Sequence, residues 1–163
     1  ARGIEVSRWF LQDVATHLDQ DAIYRRAKEI DGSPNEGGTT LTAAVLAAYQ
    51  LNLFPSVRVD WFQVQGPEAI AYACHHNGGL LVGLNITEGW MTTGKQVLSN
   101  RKFIGGHAVW IAGYKWLTGE KEPSDILIKN SWGRTYGMNG YIAMTWKEFQ
   151  RQFMYATAWK LNL

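Results

Sequence analysis

Cysteine is nearly missing: Cys74 is the only one among 163 residues. A lone thiol excludes any disulfide within the chain, so the fold must rest on an apolar core rather than on covalent staples. Apolar runs of membrane length are missing too. The longest, "AAVLAAY" and "GLLVGL", fall well short of the roughly 20 residues a helix needs to cross a bilayer, which argues against a membrane partner. No charged-then-apolar targeting segment stands at the start of the sequence. Neither sign of charge dominates: 16 basic and 14 acidic residues leave a net +2, and the basic ones are scattered rather than striped. That pattern offers no face for a polyanion, and nucleic acid is set aside as a partner. Internal repeats and low-complexity linkers are absent as well. What remains is 46% hydrophobic and 18% charged, the balance of a globular chain rather than a disordered one. The length suits a single domain over residues 1–163, with a helical part to about residue 64 and a mainly β part from 65 to 163.

Aromatic residues are plentiful, with eight Trp and seven Tyr. We read them as core and cleft-wall packing rather than a sugar-binding platform. Spacings of three and four after Ser7, an N-cap residue, predict a helix over 6–18, and "DQDAIYRRAKEI" continues helical over 19–30 with its acids first. "DGSPNEGG" (31–38) is a loop of turn formers. "TTLTAAVLAAYQLN" predicts a buried helix capped by threonine, and "SVRVDWFQV" (56–64) alternates like a strand. "GPEAIAYACHHNGG" opens with Pro67 and ends at Gly78 and Gly79, which predicts a second compact helix. From there the period changes to two. "LLVGLNI", "GHAVWIAGYKW", "DILIKNSW", "GYIAMTW" and "MYATAWKL" read as strands, with "TWKEFQRQF" as a short helix between the last two. Helices first and an antiparallel sheet after them predict an α+β fold.

Two polar residues stand where burial is otherwise the rule. His107 follows Gly105 and Gly106 at the entry of an apolar strand; Asn130 ends another and is followed by Ser131, Trp132 and Gly133. Each alone has a bland explanation as a hydrogen-bonded core group. Together they have a sharper one. A carboxamide can hold an imidazole in one tautomer, and a tryptophan above the pair keeps water away. A base and its orienter form the supporting part of a nucleophilic triad.

"GGHAVWIAGY" followed by "ILIKNSWGRTYGMNGYIAM" closely resembles the papain-like cysteine peptidases, in the portion downstream of their catalytic-cysteine helix. The resemblance implies a general base at His107 and an orienting amide at Asn130, with Trp132 as their cover and as one of the substrate-binding residues. Further upstream, "NEGG" is similar to the family's glycine loop, which implies that Gly37 and Gly38 bond substrate main chain. "GGLLVGLNI" resembles the strand flooring the specificity pocket, which implies room beside Gly83 for a bulky apolar substrate residue, with Gly106 also at the cleft. "VSRWFLQDV" is similar to the segment that follows the catalytic helix. No cofactor and no metal are implied.

Two departures qualify the likeness. Val14 and "PNEGG" stand where the family has disulfide cysteines, which suits a bacterial or intracellular origin better than a secreted or lysosomal one. The nucleophilic cysteine, and the glutamine that helps form the oxyanion hole, belong to a segment that the 163 residues do not include. Cys74 is a poor substitute, because it lies near the C-terminal end of its predicted helix, the pole that disfavours a thiolate. His75 and His76, neighbours on that helix, point roughly 100° apart and make a poor chelate. His17 has no visible partner, and "NIT" at 85–87 falls in a predicted strand, so its match to a glycosylation acceptor is discounted.

These readings predict the His/Asn-bearing portion of a cysteine peptidase, acting on peptide or protein and completed by a companion segment or chain that carries the thiol. Without the central helix the fold would expose an apolar groove, which also calls for such a companion. Two other readings keep the fold: a catalytically inactive binding module, and an acyltransferase or glutamine deamidase working with the same base and orienter.

Overall fold

The structure, a computed structural model, describes residues 18–35, 37–53, 58–92 and 94–162, without the side chains of 58–62, 77 and 157–162. The helix expected over 6–18, with Ser7, Val14 and His17, therefore lies outside the described residues.

Among the described residues two helices come first. α1 (Gln20–Asp31) begins where the Asp19 carboxylate accepts from the backbone N–H of Asp21 and Ala22, and ends at Gly32 in the left-handed conformation. α2 (Leu41–Gln50) is capped by the Thr40 hydroxyl, which accepts from the Ala43 amide at 3.1 Å. Small residues at Ala27, Ala43, Ala47 and Ala48 are buried between these helices and let them approach closely. β1 (Arg58–Gln63) follows, then α3 (Pro67–Asn77), β2 (Leu80–Thr87), a 3₁₀ turn at Glu88–Trp90, β3 (Phe103–Lys115), β4 (Asp125–Lys129), β5 (Tyr141–Thr145), α4 (Trp146–Gln152) and β6 (Phe153–Asn162). The architecture is α+β, with helices ahead of an antiparallel sheet.

The sheet has six strands in the order β1-β6-β2-β3-β4-β5, every pair antiparallel. β6 is inserted between β1 and β2, so the C-terminal strand closes the sheet against its earliest one. Strand alternation divides the molecule into two sides. Leu80, Val82, Leu84 and Ile86 of β2 face α3 and α4 together with Val109, Ile111, Ile126, Ile128, Ile142 and Met144, and all are buried in one apolar cluster. The intervening residues Leu81 and Trp110, directly paired in register, face the other way and pack on α1 and α2. The turn after α3 seats this second side. Gly79 has φ +128°, and a Cβ there would fall 2.3 Å from the Ile111 carbonyl oxygen, so only glycine lets α3 turn so tightly onto β3.

Candidate active site

β3 and β4 bring His107 and Asn130 together although 23 residues separate them. Pairing of Trp110 with Lys129 sets the strands alongside each other, and Asn130 follows directly where β4 ends. There the chain turns back through a glycine-rich loop. The Asn130 backbone N–H donates to the Gly140 carbonyl at 2.8 Å, and Gly140 itself has φ +86°, with Lys129 Nζ only 2.9 Å from where a Cβ would stand. The carboxamide is 4% exposed.

Its hydrogen bonds determine the state of the imidazole. Asn130 Oδ1 accepts from the Ser131 backbone N–H at 2.8 Å and lies 2.8 Å from His107 Nε2. A backbone N–H can only donate, so the atom beside it must be the amide oxygen, and the amide cannot be flipped. In the neutral ring Nε2 must then carry the proton, which leaves Nδ1 with a free lone pair. Burial pushes the His107 pKa below the ordinary histidine value, and the bond to Asn130 opposes that shift without cancelling it. At neutral pH the ring is uncharged and able to take a proton at Nδ1. Asn130 Nδ2 is buried without a hydrogen-bond partner. The Tyr136 hydroxyl feels the amide, which works against the burial that pushes this phenol up to about 12, but the two groups fall outside hydrogen-bonding geometry.

Aromatic rings enclose the pair. Trp132 stacks on His107 with centroids 5.0 Å apart and planes inclined by 28°. Trp90 meets the imidazole edge-on at 5.9 Å, and Tyr136 meets Trp132 edge-on at 4.9 Å. Trp90 is itself held from behind: its indole N–H donates to the buried Gln152 side chain at 2.8 Å, and its carbonyl accepts from the Tyr136 hydroxyl at 2.9 Å. Such packing gives the imidazole little freedom to rotate and limits the water that can compete for Asn130.

A cleft of about 650 Å³ opens between the α1–α2 loop and the sheet. It gathers Gly37, Gly38, Gly83, Gly106 and His107, which lie far apart in sequence. Trp132 is not part of its wall and covers the imidazole instead. The space beside Gly83 is partly taken by the protein itself, because a Cβ there would come within 3.0 Å of the Tyr155 ring. Tyr155, Met154 and Ala108 line the same region, and Lys28, Asp31 and Thr39 line the wall opposite the sheet. None of these six stood out in the sequence. Met154 and Tyr155 carry no motif, and the Lys28–Asp31 pair looks like an ordinary i, i+3 surface pair.

Cys74 sits elsewhere. On α3, it packs partly buried against the apolar cluster, and burial pushes its thiol up to about 12, so at neutral pH it is protonated. His75 and His76 are exposed near the end of α3, where the His76 ring lies 4.0 Å from that of Tyr72. Among the described residues no group of three or more His, Cys, Asp or Glu could hold a metal ion, and no helix is long and apolar enough to cross a membrane.

An antiparallel sheet thus faces two helices across a cleft, with a hydrogen-bonded imidazole and carboxamide at its rim. Residues 48–157, more than half of the chain, match the family model described as papain family cysteine protease, and the chain belongs to that family. Solved structures agree at the level of fold. Xylellain, a cysteine protease from Xylella fastidiosa, superposes with a TM-score of 0.78 at 17% identity, covering 98% of this chain and 76% of that one. Digestive procathepsin L 3 of Tenebrio molitor larval midgut gives 0.68 at 15% identity over 96% of this chain, and procathepsin B S9 from Trypanosoma congolense gives 0.51 at 18% over 66%. The chain spans 59% and 37% of those two proteins. No curated protein sequence matches it significantly.

Proposed function

We propose that this chain supplies the base, the orienting amide and most of the substrate cleft of a cysteine peptidase whose thiol comes from a segment outside these 163 residues. The observation that carries the proposal is the double hold on Asn130 Oδ1, by the Ser131 N–H and by His107 Nε2, which leaves His107 Nδ1 as the proton acceptor. A cysteine brought to Nδ1 would lose its proton to the ring, giving a thiolate–imidazolium pair able to attack an amide carbonyl. Asn130 keeps the ring aligned through both protonation states, since Nε2 carries a proton in each. Trp132 and Trp90 keep that hydrogen bond out of water.

An extended peptide would lie along Gly37 and Gly38, where nothing stands within 4 Å of an added Cβ and main chain can approach closely. Its neighbouring side chain would enter the region of Gly83, Ala108 and Tyr155. Oxyanion donors belong to the companion segment, and losing one such donor costs on the order of 3 kcal/mol of barrier. Cys74 is no alternative nucleophile in this scheme, because it packs partly buried against the apolar cluster and keeps its proton at neutral pH.

The test starts with intact-mass analysis of natively purified protein, followed by labelling with a peptide-borne thiol electrophile. A cysteine-bearing segment that co-purifies and takes the label, with labelling lost in His107→Ala, is the expected result. Label on Cys74 that depends on His107 would overturn the assignment. Absence of any cysteine-bearing companion would favour the inactive binding module.

A further inference from the structure

The glycine pair on the cleft wall is carried by a loop with no disulfide to hold it, yet one side chain spans that loop. Asp31 ends α1, and its Oδ1 accepts from the Ser33 backbone N–H at 3.0 Å. Its Oδ2 accepts from the Thr39 hydroxyl at 2.6 Å and pairs with Lys28 Nζ at 3.3 Å. Ser33 and Thr39 bracket Gly37 and Gly38, so a single carboxylate ties both ends of the segment that presents them. The ion pair is partly buried at the cleft wall, each side chain being 9% exposed. Tyr24, one turn before Lys28 on the same helix, directs its hydroxyl to the Gly38 carbonyl at 3.5 Å.

Helix stability alone would not place an acid here. The last turn of a helix carries partial negative charge and disfavours a carboxylate. Asp31 occupies the unfavourable pole and is retained by donors that belong to the loop. The Thr39 hydroxyl, then the Ser33 amide, hold its carboxyl below the usual carboxylate range, so the clasp stays charged at neutral pH.

We propose that Asp31 is a positioning residue for substrate: its carboxylate, shared by Ser33, Thr39 and Lys28, holds the Gly37–Gly38 segment in the shape that receives an extended peptide main chain. The proposal rests on the peptidase reading for its kinetic consequence, but not for its structural one. Asp31 touches no reacting atom. It acts on binding geometry, so its loss should weaken recognition of a peptide and spare the reactivity of the thiol itself.

The experiment compares wild type, Asp31→Asn and Thr39→Val in the protein together with its cysteine-bearing segment. Three readouts are taken: hydrogen exchange at the Ser33 amide, which the clasp itself bonds, the labelling rate with a peptidyl electrophile, and the labelling rate with iodoacetamide, which needs no peptide contacts. In Asp31→Asn we expect exchange at the Ser33 amide to rise about tenfold and peptidyl labelling to fall about tenfold, with iodoacetamide labelling within about twofold of wild type. Thr39→Val, which keeps the ion pair, should shift the first two readouts about threefold in the same directions. Exchange that stays at the wild-type rate would overturn the proposal, and so would a parallel fall with both reagents, which would indicate general damage to the site. A wild-type protein inert to both reagents would sink the peptidase reading instead, and the exchange contrast alone would then decide whether the clasp exists.

Discussion

On one face of the sheet, Leu80, Val82, Leu84, Ile126, Ile128, Ile142 and Met144 are buried against one another and against α3 and α4. On the other, α1 and α2 are packed through small residues and Trp110, and they enclose a charged pair beside an open cleft. The first side is held by dispersion and apolar burial, which are non-directional and tolerant of detail as long as the volume is filled. The cleft depends instead on directional bonds: Asp31 to Ser33 and Thr39 on its wall, and Asn130 to His107 and Ser131 at its rim, where His107 shares the face of its strand partner Leu84. Mutations in the apolar cluster should therefore change stability before they change chemistry. Those in the cleft should do the reverse.

The sharpest break in that comparison is His107→Ala in the protein together with its cysteine-bearing segment. Removing the base should lower the rate of peptidyl-electrophile labelling by about 10³-fold, or some 4 kcal/mol, while the urea midpoint moves little. Ile126→Ala on the apolar face should do the opposite. It should cost about 3 kcal/mol of unfolding free energy at unchanged m-value, with the surviving folded fraction labelling at the wild-type rate. Asn130→Ala comes next: the ring is kept but free to rotate, and labelling should fall about 10²-fold. A smaller fall would mean that Trp132 and Trp90 hold the imidazole without the amide.

Two milder tests sharpen the same contrast. His107 has its pKa lowered by burial, so between its folded value and the ordinary value near 6.5 the unfolded chain binds more protons than the folded one. Stability should fall as pH drops through that window and level off below it. Denaturant midpoints measured across the window should decline less in His107→Gln, and a midpoint that rises on acidification would contradict the assigned direction. NMR titration of the His107 ring should move upward once the companion thiol docks, because a neighbouring thiolate favours the imidazolium. The smallest effect belongs to Cys74→Ala. Peptidyl labelling should be unchanged, since a thiol pushed up to about 12 contributes almost no thiolate at neutral pH.

Much of the fold was legible along the chain. Pro67 and Gly78 bracket α3 as their backbone preferences require, Thr40 caps α2, and the alternation of Ile126 and Ile128 or Ile142 and Met144 marks half-buried strands. His107 and Asn130 were legible because their flanking glycines and aromatics form local motifs. Trp90 was not, although it meets His107 edge-on, since nothing around "TEGW" distinguishes a core tryptophan from one that backs an imidazole. Asp31 was hidden for a similar reason. In sequence it opens a run of turn formers three residues after a lysine, and only the return of the loop gives it Thr39 as a donor. The insertion of β6 between β1 and β2 was equally invisible, because strand pairing over such a distance depends on the whole sheet and not on either segment.

The sequence by itself determined the type of most of the described helices and strands, and it marked an imidazole and a carboxamide flanked by glycine and tryptophan, although His107 lies inside β3 rather than at its entry. Those are short-range matters, set by side-chain period, capping and turn chemistry within a few residues. Tertiary structure decided the rest: that Asn130 Oδ1 reaches both Ser131 and His107, that Tyr155 stands over Gly83, and that one carboxylate gathers both ends of the glycine loop. These arise from strand register and helix packing, where contacts between distant residues follow from the chain closing on itself.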